Sequence, residues 1–330
     1  DGNPLETMLK VIKRVRGSYA VAVLMSDHPD EILAAKKDSP LIVGIGSGEN
    51  YLASDIPALL KYTRDCAVMQ DGEIAIVGKT SVGFFDSDGK PIDKKLMHIT
   101  WDADSAEKGG YKHFMKKEIA EQPKAVRDTL GGRIVDGRVN LPELTLSDEQ
   151  IKNIGVVHIV ACGSAWHVGM TAKYLIERSA GILCECDLAS EFRYRHPVVR
   201  DNDLCIVISQ SGETADTLAA LREAKSRGAH TVSIVNVVES TIARESDDVI
   251  YTMAGPEIAV ATTKAFSAQL AAVYLLAQSV RTVRHGNGRY AEPLHRTGIH
   301  KIRALNEPRL FGKRQIFKSF VFFHKNPQNK

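Results

Sequence analysis

Between Ser18 and Phe85 the apolar residues fall into short β-rich runs, at 19–25, 41–45, 73–77 and 81–85, punctuated by Ser47-Gly48 and Asp71-Gly72. Alternation broken by turn residues predicts a mostly antiparallel sheet region. Around 101–110 the chain turns polar, with Asp102, Asp104, Glu107, Lys108, Gly109 and Gly110. Tyr111, Phe114, Met115 and Ile119 then resume at helical spacing. This polar stretch is the expected domain boundary.

After Ile154 the rhythm changes to apolar strands alternating with helical stretches, the pattern of a parallel sheet with helices on both faces. The predicted strands are 156–161, 183–188, 204–209, 231–236 and 249–253, and the predicted helices include 166–179 and 214–226. The run 265–280 is too short for a membrane span and is interrupted by Ser267, Gln269 and Gln278, so a buried helix is expected there. The fold class is therefore α/β, a doubly wound parallel sheet preceded by an α+β region.

Composition adds that 330 residues, 44% of them hydrophobic, suffice for two ordinary cores. Five scattered cysteines, an odd number, argue for reduced thiols and a cytoplasmic setting rather than a disulfide framework. Cys184 and Cys186 share a strand face without further zinc ligands nearby, so no metal is expected. The chain opens on Asp1 with no signal-like segment, and an internal fragment is expected. Residues 285–330 carry ten Lys or Arg against Glu292 and Glu307, together with five of the ten Phe. A basic aromatic tail can touch nucleic acid or a partner. A poorly ordered end, or unrelated sequence, is the plainer expectation, so no nucleic-acid partner is predicted.

The chemistry-bearing segment follows strand 204–209. Ser209, Gln210, Ser211, Gly212, Glu213 and Thr214 place hydroxyls and a turn-permitting glycine between a buried strand and a helix N-terminus, whose free N–H groups suit a phosphate dianion. A simple helix cap accounts for one such hydroxyl but not for three. Cys162, Gly163, Ser164 and Ala165 form a second such loop after the first parallel strand, and adjacent strand ends would bring the two around one ligand. Cys162 reads equally as a small buried residue or a ligand contact. There is no Gly-x-Gly-x-x-Gly and no Walker lysine, so a sugar phosphate fits better than a nucleotide. His167 beside Trp166 reads as packing rather than as an acid or base. No cofactor is implied.

His113, Phe114, Met115, Lys117, Glu118, Ile119, Glu121, Gln122 and Pro123 resemble the start of the isomerase part of glutamine–fructose-6-phosphate aminotransferase, also called glucosamine-6-phosphate synthase. Ala189, Ser190, Glu191, Phe192, Arg193, Tyr194 and Arg195, the loop 209–214, and Thr263, Lys264, Ala265 and Phe266 extend the resemblance. It runs from about residue 15 to about residue 284 and fades in the tail. The resemblance implies the later part of a glutaminase (Ntn-type) domain over 1–100, a linker at 101–111, a helical lead-in over 112–150, a first sugar isomerase (SIS) domain over 151–284 and a divergent basic tail over 285–330.

The resemblance further implies fructose 6-phosphate or glucosamine 6-phosphate as ligand, held by Ser209, Gln210, Ser211, Gly212 and Thr214 with Cys162, Gly163, Ser164, Val260 and Thr262 nearby. It implies a homodimer for the full-length family. Ala165 stands where many relatives have a serine. The nucleophilic cysteine of the glutaminase half and the isomerising residues of a second SIS domain have no counterparts here. No catalytic residue is therefore assigned, and the chain alone is expected to be inactive. A sugar-phosphate-sensing module with a partner-binding tail is the alternative, and a simple aldose–ketose isomerase a third.

Overall fold

A computed structural model describes residues 3–56, 58–99 and 108–286. The chain forms two compact units, one of Asp1–Lys117 with Gly255–Val260, the other of Glu118–Ala254 and the residues from Ala261 onward. Most of the stretch expected as a linker, 101–107, and the basic tail from residue 287 lie outside the described residues.

Among the described residues the first unit holds α1 (Pro4–Ile12) and the strands β1 (Tyr19–Met25), β2 (His28–Lys37), β3 (Ile42–Ile45), β4 (Asn50–Ala53), β5 (Asp65–Val68), β6 (Ile74–Gly78), β7 (Val82–Phe85) and β8 (Met97–His98). They pair antiparallel in two four-stranded sheets, ordered β1-β2-β6-β7 and β4-β3-β5-β8. Ala34, Ala75, Val77 and Phe84 of one sheet meet Leu41, Val43, Ala67 and Met69 of the other, and Met8 of α1 closes the outer face over Leu33, Ala35 and Ile74. Asn3 caps α1 by accepting the Leu5 N–H at 2.9 Å, with Pro4 at the first helical position, where its missing N–H costs nothing.

All four runs predicted here are strands. The longest strand, β2, was not predicted, because His28, Asp30, Glu31, Lys36 and Lys37 break its apolar pattern. Lys36 is buried within it and bonds Asp71 at 2.6 Å, so a charge sits inside by pairing.

The chain continues through α2 (Phe114–Leu130), most of which lies in the second unit, to a two-stranded ribbon of β9 (Ile134–Val135) and β10 (Arg138–Val139), and α3 (Asp148–Asn153). Ser147 and Gln150 cap α3 reciprocally. Five parallel strands follow, β11 (Val156–Ala161), β12 (Leu183–Leu188), β13 (Leu204–Ser209), β14 (His230–Val235) and β15 (Asp248–Tyr251), in the order β12-β11-β13-β14-β15. Their crossovers are α4 (Gly163–Ala180), α5 (Ala189–Tyr194), α6 (Ala215–Ser226) and α7 (Thr241–Glu245), and α8 (Lys264–His285) ends the described chain.

Alternate side chains of the central strands serve opposite faces. Val157, Ile159 and Ala161 pack with Val168, Ala172 and Ile176 of α4 and with Leu275, Leu276 and Val280 of α8. Val160, Cys205 and Val207 pack with Phe192 of α5, Leu218 and Leu221 of α6 and Ile242 of α7. Each fully buried Leu or Ile stabilises by about 1.5–3 kcal/mol. Gly169 lets α4 lie close to the sheet, since a Cβ there would stand 2.9 Å from Cys186 Sγ and 3.0 Å from Ile159. The expected doubly wound parallel sheet is thus present, and the run at 265–280 lies within the largely buried α8. No helix among the described residues is long and apolar enough to cross a membrane.

All five cysteines are free thiols, and burial pushes Cys184 and Cys205 up to about 12 and Cys66 and Cys186 up to about 11. These four are therefore protonated and poorly nucleophilic near neutral pH.

Candidate functional site

Strands β11 and β13 are parallel neighbours, with Ala161 opposite Ile208, and the chain leaves them in opposite lateral directions, to β12 on one side and β14 on the other. Their C-terminal ends therefore form the topological switch point, where a crevice opens in folds of this kind. The two loops predicted to bind stand there side by side. Cys162 ends the β11 segment as the N-cap of α4, and the Thr217 hydroxyl of α6 lies 3.6 Å from its Sγ, tying the two loop–helix junctions together. Gly163, at φ 56°, and Ser164 are exposed.

The second loop is internally braced. The buried Ser209 Oγ accepts the Gly212 N–H at 3.0 Å and lies 3.1 Å from Thr214 Oγ1. Ser211 Oγ accepts the Glu213 N–H at 3.2 Å. Gly212 sits at φ 67° with its α-carbon against Ser240, where a Cβ would fall 1.9 Å from the serine Oγ. Thr214 is the N-cap of α6, yet its side chain makes no capping hydrogen bond; its hydroxyl is turned to Ser209 instead. Cys162 makes none for α4 either. Two helices of 18 and 12 residues thus present N-termini at the switch point without a side-chain cap, each with backbone N–H groups that intrahelical bonding leaves over. Together with the dipoles of those helices, this suits an anion.

Thr262 is half-buried two residues before α8. The C-termini of α4 and α8 adjoin, His285 Nε2 lying 2.9 Å from the Ala180 carbonyl, so these packed helices run in parallel and their N-termini share the pole of the two loops. Val260 is fully exposed and belongs to Gly255–Val260, which groups with the first unit. Lys264, at the start of α8, is buried and bonds Glu121 Oε2 of α2 at 2.7 Å, with Ser267 donating to Gln122 at 2.7 Å beside it. Its amine is engaged in structure. His167 is exposed and meets Trp166 edge-on at 5.0 Å between centroids.

Sequence reasoning missed the residues that hold the second loop from outside. Glu213 Oε1 accepts the Thr241 N–H at 2.7 Å, the Ile242 N–H donates to the Gly212 carbonyl at 3.0 Å, and the Asn236 N–H donates to the Gln210 carbonyl at 3.1 Å. The buried Asn236 Oδ1 in turn accepts from Ala254 N at 2.8 Å and Thr252 Oγ1 at 3.2 Å. No local pattern signals these contacts, because each partner lies well over a dozen residues away.

A separate cavity of about 340 Å³ opens at the other pole of the sheet, lined by Ser147, Glu149, Asn153, Asp201, Asp203 and His230 among others. Its carboxylates make it a poor host for an anion. Among the described residues no group of three or more His, Cys, Asp or Glu could hold a metal ion.

The SIS domain model matches residues 150–279, the part that contains the sheet and both loops. The glutamine–fructose-6-phosphate aminotransferase [isomerizing] of Caldanaerobacter subterraneus subsp. tengcongensis is 55% identical over 278 residues, 84% of this chain and 46% of that protein. The protein of the same name from Thermotoga maritima is 44% identical over 294 residues, 89% of this chain and 48% of that protein. Among solved structures, the C-terminal domain of glucosamine-fructose-6-phosphate aminotransferase from Francisella tularensis matches with a TM-score of 0.55 at 42% identity, covering 60% of this chain and 56% of that one. The chain spans a little under half the length of these full relatives, and the 278 aligned residues are more than twice the SIS span. Over the 84% of its length that aligns, the chain is similar to proteins named glutamine–fructose-6-phosphate aminotransferase [isomerizing], and it carries a SIS domain.

Proposed function

We propose that the crevice between the 162–164 and 209–214 loops binds the phosphate of fructose 6-phosphate or glucosamine 6-phosphate. The observation that carries this is the convergence, at the switch point, of two loop–helix junctions whose N-caps make no side-chain capping bond, with Ser209, Ser211 and Thr214 supplying hydroxyls. Ser209, Gln210, Ser211, Gly212 and Thr214 form the cradle, with Cys162, Gly163 and Ser164 on its other wall and Val260 and Thr262 as further sugar-side residues. The domain boundaries are proposed as the sequence suggests, with residues 1–100 the later part of a glutaminase domain and 151–284 the first SIS domain.

In this reading the chain forms the sugar-holding part of an enzyme that transfers ammonia from L-glutamine to fructose 6-phosphate, working as a homodimer in the cytoplasm. The chain by itself binds without turning over. Its described candidate amine, Lys264, is buried in an ion pair with Glu121, and no base–lysine pair stands among the loop residues. Isothermal calorimetry tests the binding: fructose 6-phosphate is expected to bind, and Ser211→Ala to weaken it about ten- to a hundredfold, the share of one hydrogen bond to a charged group. Glucosamine 6-phosphate production from glutamine by the chain alone would contradict the proposed inactivity.

A further inference from the structure

We infer that Glu213 is a positioning residue, whose carboxylate clamps the 209–214 loop to the first turn of α7 and so sets where the loop's hydroxyls stand; the inference rests on the phosphate-binding reading of that loop. A carboxylate within a loop that receives a dianion repels it unless it is turned away and occupied. Glu213 is occupied: its Oε1 accepts the Thr241 N–H at 2.7 Å.

The residue placed to cap α7 locally does not do so. Ser240, the N-cap, makes no side-chain capping bond, and its Oγ is buried without a partner. Its side chain serves as the surface on which Gly212 rests, so close that only hydrogen fits on the glycine. Glu213, 28 residues away, instead supplies an acceptor for the first N–H of the helix, that of Thr241. The Ile242 N–H donates to the Gly212 carbonyl and the Asn236 N–H to the Gln210 carbonyl, so three consecutive bonds in space fasten the phosphate loop to the turn between β14 and α7. The Glu213 bond is the one of the three made by a side chain, and the one a substitution can remove without touching backbone.

The acceptor and the charge of Glu213 can be separated. Glu213→Gln keeps an acceptor oxygen and loses the charge, whereas Glu213→Ala loses both. Thr241→Pro removes the N–H donor at a first helical position that suits proline, and the preceding Ser240, at φ −63° and ψ 160°, has the backbone that proline requires. Thr241→Ala is its control, keeping the N–H while losing the hydroxyl that accepts from Arg244 Nη2 at 3.1 Å.

Fructose 6-phosphate affinity by calorimetry is expected to fall about tenfold in Glu213→Ala and in Thr241→Pro, and to stay within about threefold of wild type in Glu213→Gln and Thr241→Ala. Hydrogen exchange of the unliganded protein should show faster exchange around 237–246 in Glu213→Ala, restored in Glu213→Gln. Wild-type binding that Glu213→Ala or Thr241→Pro retains within twofold would overturn the clamp alone. Absence of wild-type binding would overturn the phosphate reading and the clamp together.

Discussion

Gly212→Ala is expected to destabilise the second unit by about 3 kcal/mol and to abolish sugar-phosphate binding. Two independent costs add. At φ 67° an L side chain is strained by about 1–2 kcal/mol, and the new methyl would overlap Ser240, its Cβ 1.9 Å from the serine Oγ and 2.5 Å from its Cβ, with overpacking of this kind costing about 1–3 kcal/mol. The contact with Ser240 is tight because the Ile242 N–H bond to the Gly212 carbonyl pins both segments, so neither can step aside without losing a hydrogen bond. Urea unfolding measures the stability, and the double variant Gly212→Ala with Ser240→Gly separates the costs. It should recover the overlap share and retain the backbone strain. If the single variant unfolds at the wild-type midpoint, the loop conformation described here is wrong.

The second large effect concerns the α2–α8 latch. Glu121→Ala is expected to cost about 2–4 kcal/mol, because it takes the carboxylate from Lys264, whose side chain is 3% exposed. Lys264→Met removes the buried charge as well, and the double variant should lose less than half of what Glu121→Ala loses, a non-additivity that an exposed pair would not show. Urea unfolding of the four proteins measures it. Calorimetry on Lys264→Met adds a functional arm: fructose 6-phosphate binding within about threefold of wild type supports a structural lysine. Loss of binding with unchanged stability would instead make Lys264 a ligand group.

The parallel strands were legible because burial on both faces leaves an apolar run that needs no partner to recognise. The strands 156–161, 183–188 and 204–209 coincide with β11, β12 and β13, and the last two differ from β14 and β15 by one or two residues, where the polar ends Asn236 and Asp248 turn into loop contacts. In the first unit β2 was hidden by its charges, although Lys36 is buried through Asp71. The short strands β4, β5 and β8 carry too few residues to show a period.

Around the crevice, residue type was enough to find the hydroxyls and the glycine, and strand adjacency was enough to place the 162–164 loop beside them. What the residues could not show is which groups hold the loop in place. Glu213 looked like one more loop residue, and only the fold brings Thr241 to it; Asn236 looked like a strand end, and only the fold makes it a brace for Ala254. Sequence resemblance named Val260 as a neighbour of the phosphate, and its grouping with the first unit leaves that as a proposal.

The crevice is proposed to recognise phosphate on a sugar rather than the sugar alone. Thermal unfolding of the wild-type chain and of Ser209→Ala, each with fructose 6-phosphate or with fructose at equal concentration, tests this most directly. Fructose 6-phosphate is expected to raise the melting temperature of the wild type, fructose to leave it unchanged, and the rise to shrink in Ser209→Ala. Equal stabilisation by the two sugars, or none by either, would contradict that recognition.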